Sequence, residues 1–280
     1  MSELINGKLI AEKIKDTIVA EILTFQGKRP NLAIILIGER EDSRLYVALK
    51  EKEALKVGID THIYRCTDTT PESEIIQMIE CLNNDELIDA ILVQLPLPDS
   101  FDTDKIIKAI DPKKDVDLFH PENLKKLLAS CNHEEVLPPV LKAVLIMLNE
   151  IKIDLKDKRV CLIANSDVFG KSLAHVLDCR GAKTELMKAD DKNLKSKTSK
   201  ADILISAVGR PHFIKKEMVK KDAVVIDIGI TKEKGKVLGD VDFDDVEDKV
   251  AFITPVPGGV GPMTIAMLFW NTLEIFKKRL

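Results

Sequence analysis

The sequence predicts an α/β protein of two domains, the second of them Rossmann-like. Three observations carry that expectation. Short runs rich in Ile, Val and Leu alternate with amphipathic helical patterns along the whole chain, as strands and helices of layered sheets do. Each run is short, nearly continuous in apolar residues and soon followed by Gly, Pro or Asn, which points to buried strands of a mostly parallel sheet. The length of 280 residues suits one large domain or two of roughly 100–150 residues.

Taken in order, Met1–Ile22 interleaves charged and apolar residues, as an amphipathic helix does and a secretory signal does not. Leu32–Ile37 is the first strand, stopped by Gly38. Ser43–Val57 follows as a helix with Leu45, Leu49 and Val57 set among charges, and Pro71–Leu82 as another with Ile75, Ile76 and Ile79 on one side. Ala90–Leu95 is the next strand, ended by Pro96 and Pro98, which cannot continue a sheet. The polar stretch Ala129–Glu135 marks the boundary, just before a helix from about Pro138 to Ile151. Beyond it, Arg159–Ile163, a helix from Gly170, Lys183–Met187 and Asp202–Val208 form a Rossmann-like β-α-β-α-β run. Ala223–Ile228 adds a strand, and Met263–Lys278 closes the chain as a long helix.

Composition narrows the function. With 42 basic and 46 acidic residues and 12 aromatics, the chain lacks the basic excess and the stacking groups of a nucleic-acid binder. Apolar stretches reach about half a dozen residues, against ~20 for a membrane span. Five cysteines, scattered and without a CxxC pair, suggest neither a disulfide framework nor zinc. The expectation is a soluble, cytoplasmic, globular protein without a metal.

Five segments could carry chemistry. Ser43, Tyr46 and Lys50 are spaced three and four apart, which aligns a hydroxyl, a ring and an ammonium on one helix face. That helix follows a strand ending at Gly38, at the sheet edge where ligands collect. The same spacing also suits a solvated amphipathic helix. Gln94 precedes Leu95-Pro96-Leu97-Pro98 and would point from a strand end into the same crevice; such prolines also serve as a plain strand stop. Asp115-Val116-Asp117-Leu118-Phe119-His120-Pro121 reads as a short strand or turn with both carboxylates on one side, and His120 as structural. In Pro255-Val256-Pro257-Gly258-Gly259-Val260-Gly261-Pro262-Met263-Thr264, three prolines and three glycines in ten residues make a stiff loop whose backbone a ligand can approach. Last, Ala164-Asn165-Ser166-Asp167-Val168-Phe169-Gly170 sits where a dinucleotide fingerprint belongs but keeps only its last glycine.

Together these segments resemble the bifunctional methylenetetrahydrofolate dehydrogenase/methenyltetrahydrofolate cyclohydrolase family, the FolD type. The likeness runs nearly end to end: Ile5-Asn6-Gly7-Lys8, Tyr46 with Lys50, Ile91 through Pro98, Asp115-Val116-Asp117, Val225 through Gly229 and Pro255 through Thr264. The resemblance implies a folate bound in a cleft between two α/β domains. It assigns residues 1–136 plus 264–280 to a catalytic, folate-binding domain and 137–263 to a dinucleotide-binding domain, with the last helix returning to the first domain. It implies NAD(P)-dependent oxidation of 5,10-methylenetetrahydrofolate, hydrolysis of the methenyl product to 10-formyltetrahydrofolate, and a homodimer through the Rossmann domains. By position in the family motifs, Lys50 is the catalytic lysine, supported by Gln94 and Tyr46. Tyr46 stacks on the folate, Asp117 holds the pterin, and Leu95, Pro255, Pro257, Gly258 and Gly259 line the substrate. Ala164, Asn165, Ser166, Gly170, Ile230 and Thr264 fall at the cofactor.

The departures from the family cluster on the cofactor side. Ala164-Asn165-Ser166 stands for Gly-Arg-Ser, so the arginine that meets the NADP 2′-phosphate is missing. Ser172 stands for a proline, Leu118 for the glycine of Val-Asp-Gly-Phe-His, and Lys188-Ala189 for a His-Ser pair, followed by Asp190 and Asp191. The family suggests NADP; Asn165 with Asp190 and Asp191 argues for relaxed selectivity or NAD, because an acid there can bond a ribose 2′-hydroxyl and repel a phosphate, although Lys188 and Lys192 could receive a phosphate instead. Two rivals remain: a cyclohydrolase-only variant with a degraded dinucleotide site, and a non-catalytic folate-binding homologue.

Overall fold

The computed structural model describes residues 2–132, 137–233 and 235–280. In chain order the elements are β1 (Glu3–Leu4), α1 (Gly7–Ile22), β2 (Asn31–Ile37), α2 (Glu41–Val57), β3 (Asp60–Cys66), α3 (Glu72–Asn84), β4 (Ala90–Val93), α4 (Thr103–Lys108), α5 (Pro121–Ala129) and α6 (Pro139–Glu150). There follow β5 (Arg159–Ala164), α7 (Asp167–Asp178), β6 (Lys183–Met187), α8 (Leu194–Thr198), β7 (Ile203–Ala207), β8 (Val224–Asp227), β9 (Thr231–Glu233), β10 (Lys236–Leu238), α9 (Phe243–Val246), β11 (Phe252–Ile253) and α10 (Val260–Lys277).

Two compact units emerge, one of residues 12–139 and 265–280, the other of residues 1–11 and 140–264. The first holds a parallel three-stranded sheet in the order β3-β2-β4. Its central strand shows why a continuous apolar run is needed. Leu32, Ile34 and Leu36 face one core with Val47, Ala54, Phe269 and Leu273, whereas Ala33, Ile35 and Ile37 face another with Ile75, Ile79 and Ile106. Side chains alternate across a strand, so both faces are apolar only if every residue is. Each Leu, Ile, Val or Phe among them, fully withdrawn from water, contributes about 1.5–3 kcal/mol.

The second unit carries a six-stranded parallel sheet in the order β1-β11-β8-β7-β5-β6. Residues 1–11 correct the expected division. The sequence reading places them with the first domain, yet Glu3 and Leu4 pair with Phe252 and Ile253 as an edge strand of this sheet. Two residues of strand carry no periodicity, so the sequence offers no sign of them. The boundary stretch Ala129–Glu135 falls partly outside the described residues.

Other differences are local. The strand from Ala90 ends at Val93 rather than Leu95. α7 begins at Asp167 rather than Gly170, because Ser166 caps it: the Ser166 hydroxyl accepts the Phe169 N–H at 3.3 Å. α10 begins at Val260, ahead of the expected Met263; Pro262 is tolerated in that first turn, where its missing N–H would have no helical partner. Strand β3, Asp-Thr-His-Ile-Tyr-Arg-Cys, was not foreseen. It lies at the sheet's edge, half-exposed, and edge strands need no apolar run. Among the described residues no helix is long and apolar enough to cross a membrane.

Candidate active site

In the three-stranded unit, α2 starts just past the carboxyl end of β2, with Glu41 and Asp42 in its first turn, where the helix dipole favours acids. Ser43 is buried with Val47, Ala54 and Val57, so it joins the core side of the helix. Tyr46 and Lys50 are half-buried.

The Lys50 ammonium donates to Gln94 Oε1 at 2.8 Å. Gln94 is held in turn: its Nε2 donates to the Leu95 carbonyl at 2.6 Å, and its backbone N–H donates to Ile35 O at 2.9 Å. With both ends of the amide engaged, the oxygen stays aimed at Lys50. Burial pushes the Lys50 ammonium below the usual lysine range, while Asp117 acts against that shift. Burial also raises the Asp117 carboxyl to about 6, with Lys50 opposing and Asp115 reinforcing the rise. Burial raises the Tyr46 phenol, helped by the charge of Asp42.

Asp115 and Asp117 divide the work. Asp115 is 2% exposed and accepts the N–H groups of Leu118 and His120 at 3.0 and 2.8 Å and Asn123 Nδ2 at 3.1 Å. It closes the turn and leaves Asp117 as the half-buried carboxylate beside Lys50. Leu118 takes φ of 59°, a left-handed conformation costly for leucine that the bond to Asp115 holds in place. His120 is structural: its Nδ1 accepts the Glu122 N–H at 3.1 Å and caps α5. From α10, the buried Asn271 amide donates to Val116 O at 3.1 Å and Leu137 O at 2.9 Å, pinning the residue next to Asp117. Its trace in the sequence is a lone asparagine directly after the apolar run Ile265–Trp270 of α10.

The remaining candidates lie in the six-stranded unit. Gly258 takes φ of 109°, open only to glycine, and its carbonyl accepts the Lys8 N–H at 3.0 Å. Gly259 packs inward: a Cβ there would sit 2.6 Å from Pro255 O, and one on Gly7 would sit 1.9 Å from Gly259 O. Close packing of the loop on the start of α1 therefore explains these two glycines without a ligand. Pro255 is half-buried and Pro257 exposed. Thr264 donates its hydroxyl to Gly261 O at 2.7 Å inside the first turn of α10.

At the carboxyl end of this sheet, Ala164 ends β5, and Gly170 lets α7 press onto β6, since a Cβ would meet Leu186 at 2.7 Å; that is the role of the last glycine in a Rossmann turn. Asn165 donates to Val208 O at 2.8 Å. Lys188 donates to Asn165 O at 2.9 Å and is ion-paired with Asp167. Asp191 closes a turn by accepting the Asn193 N–H at 2.8 Å, whereas Asp190 stands exposed. Ile230 is an exposed apolar residue just past β8, 41% accessible. Ser172 buries its hydroxyl with no hydrogen-bond partner among the described residues. Ser172→Ala should therefore stabilise the protein by about 1 kcal/mol, read as a higher denaturant midpoint; a lower midpoint would show that the hydroxyl is satisfied.

A parallel sheet with a capped helix start at its carboxyl edge, and a second α/β unit holding a desolvated lysine beside a fixed amide and a carboxylate, are the build of a two-domain α/β enzyme with a dinucleotide-binding unit. Residues 5–117 match the catalytic domain of tetrahydrofolate dehydrogenase/cyclohydrolase, and residues 138–280 match the NAD(P)-binding domain of the same enzymes. The bifunctional protein FolD of Sulfurihydrogenibium sp. is 47% identical over 99% of this chain and 98% of its own length, and that of Geotalea daltonii is 43% identical over all of both. The crystal structure of the FolD methylenetetrahydrofolate dehydrogenase/cyclohydrolase from Campylobacter jejuni superposes with a TM-score of 0.95 at 38% identity over the whole of both chains. The Trypanosoma brucei enzyme, complexed with NADP and an inhibitor, gives 0.95 at 32% identity, covering 99% of this chain and 98% of that one. The chain belongs to the tetrahydrofolate dehydrogenase/cyclohydrolase family.

Proposed function

We propose that this protein is a bifunctional enzyme of one-carbon folate metabolism. It oxidises 5,10-methylenetetrahydrofolate with a nicotinamide dinucleotide and hydrolyses the 5,10-methenyl product to 10-formyltetrahydrofolate. The observation that carries this reading is the Lys50–Gln94 pair, with the ammonium pushed toward its neutral form in a chain of this family.

In that reading Asp117 accepts hydrogen bonds from the pterin amino and ring N–H groups, and Tyr46 lies against the flat ring. Hydrolysis of the methenyl carbon needs water placed and a proton moved. A partly desolvated lysine, whose burial lowers its hold on the proton, serves both needs, first as a hydrogen-bond donor and then as a proton carrier. Gln94 keeps the lysine nitrogen in place for that work. A non-catalytic folate binder would have no use for the lysine.

The carboxyl edge of this sheet suits a dinucleotide: Ser166 caps the start of α7 there, Asn165 and Ser166 are exposed, and Gly170 brings helix and sheet close. When bound there, the dinucleotide supplies the hydride acceptor. The chain's residues orient it, which is most of what hydride transfer between two flat rings requires.

For the choice of dinucleotide we propose relaxed selectivity or a preference for NAD. Asn165 carries no charge and spends its amide on Val208 O. The charge of Lys188 is already met by Asp167, while Asp190 is exposed just past β6, the part of a Rossmann unit in which an acid can bond a ribose 2′-hydroxyl. Catalytic efficiency with NAD should equal or exceed that with NADP. A strong NADP preference would contradict this and hand the phosphate to Lys188 or Lys192. Oxidation with neither, with hydrolysis retained, would make the protein a cyclohydrolase alone. A cytoplasmic homodimer goes with this assignment. The edge position of β6, unpaired on its outer side among the described residues, supports it, since such an edge offers backbone groups to a second copy.

A further inference from the structure

Two buried acids of the six-stranded unit have no part in the reading so far. Asp240 is 0% exposed and Asp227 is 3% exposed. Among the described residues neither is ion-paired with a lysine, arginine or histidine. Burying a carboxylate without a cation is costly unless donors converge on it, and here they do. Asp240 Oδ2 accepts the Ser206 hydroxyl and the Val208 N–H, and Oδ1 accepts the Arg210 N–H, all at 2.8 Å. Asp227 accepts the N–H groups of Gly229 at 3.0 Å, Asp240 at 3.1 Å and Val241 at 2.9 Å.

All these donors lie at or beyond the carboxyl ends of β7 and β8. The turn that Asp240 grips reaches further. Val208 O accepts the Asn165 amide, and Gly209 O accepts the Thr231 hydroxyl at 3.2 Å. The loops after β5, β7 and β8 are thus tied to one carboxylate. Two glycines make room for the arrangement: a Cβ on Gly229 would sit 2.1 Å from Asp240 Oδ1, and one on Gly239 would sit 2.1 Å from Asp227 Oδ2. A crevice of this kind, outside the carboxyl ends of parallel strands, is where dinucleotides bind.

We propose that Asp240, seconded by Asp227, is a positioning residue for the dinucleotide, holding the loops after β5, β7 and β8 in their binding shape. The proposal rests on the dehydrogenase reading above. An acceptor-only group is what the site needs, because three donors point at it and an amide would turn its own N–H groups on at least one of them. Burial, with the Asp240 charge beside it, raises the Asp227 carboxyl to about 7, so the pair sheds part of its repulsion by holding a proton near neutrality.

The test is Asp240→Asn, which keeps the shape and loses an acceptor. The KM for the preferred dinucleotide should rise at least 10-fold, kcat at saturating dinucleotide should change less than 3-fold, and hydrolysis of methenyltetrahydrofolate should persist at the wild-type rate. An unchanged dinucleotide KM overturns the proposal, and so does an equal fall in both activities, which would mark Asp240 as a support of the fold alone. If Asp240→Asn does not fold, Ser206→Ala decides, removing one donor and leaving the carboxylate. It should raise the dinucleotide KM at least 3-fold, and an unchanged value overturns the proposal. A wild-type chain that binds neither NAD nor NADP in calorimetry overturns the dehydrogenase reading itself, and this proposal with it.

Discussion

Replacing Lys50 by methionine is expected to lower the rate of methenyltetrahydrofolate hydrolysis by at least ~100-fold, the lower end of what a lost acid–base group costs. Methionine keeps the length of the side chain and removes the nitrogen that Gln94 fixes. The fold should survive, because the ammonium it loses is one that burial already disfavours. Oxidation of methylenetetrahydrofolate should fall less, since hydride transfer asks for orientation more than for a proton carrier. Near-normal hydrolysis by the variant would remove Lys50 from the mechanism.

Asp117→Ala is expected to weaken folate binding by about 2–3 kcal/mol, roughly 30- to 150-fold, the worth of hydrogen bonds to a charged acceptor, while dinucleotide binding stays near its wild-type level. Calorimetry with tetrahydrofolate and with each dinucleotide separates the two. The carboxyl is raised to about 6, which sets the pH dependence. Above pH 6 it is ionised and, as the proposed pterin acceptor, should bind folate fully; as the pH falls through 6 it takes up a proton and folate affinity should drop. The sign for stability is opposite. A folded value above the unfolded ~3.9 means that the folded chain holds its proton longer, so stability is full below pH ~4 and is lost as the pH rises toward 6. Asp117→Asn should therefore be more stable than wild type at pH 7, by about 1–2 kcal/mol, and bind folate poorly. An Asp117 that merely closed a turn would give the reverse, lower stability with unchanged affinity. Asp115, which does close the turn, is the residue whose loss should show that second pattern.

Strands β2, β4, β5, β7 and β8 are legible in the sequence because nearly all their residues are buried, so the runs are almost continuously apolar. β1 and β11 are two residues each, and β3 is a half-exposed edge; such strands are held by pairing and leave no pattern. Helix starts were read late at α2, α7 and α10, since their first turns are built from capping and loop residues. Within the candidate site, the spacing of Tyr46 and Lys50 on one helix was visible, and so was Gln94 at a strand end. The placement of Ser43 with them was not sustained, because a residue three positions from Tyr46 can equally face the core. Asn271 lies 154 residues beyond Asp117, and no local pattern joins them. The inward packing of Gly7 and Gly259 was hidden for the same reason: a glycine that lets a ligand approach and a glycine that lets backbone approach are the same letter.

The most direct test is to incubate the purified protein with 5,10-methylenetetrahydrofolate and either NAD or NADP while following methenyl absorbance. The expected result is dinucleotide-dependent formation of the methenyl compound and its onward conversion to 10-formyltetrahydrofolate, with the methenyl intermediate accumulating when Lys50→Met is used instead. No methenyl formation with either dinucleotide, together with no hydrolysis of methenyltetrahydrofolate supplied directly, would contradict the assignment.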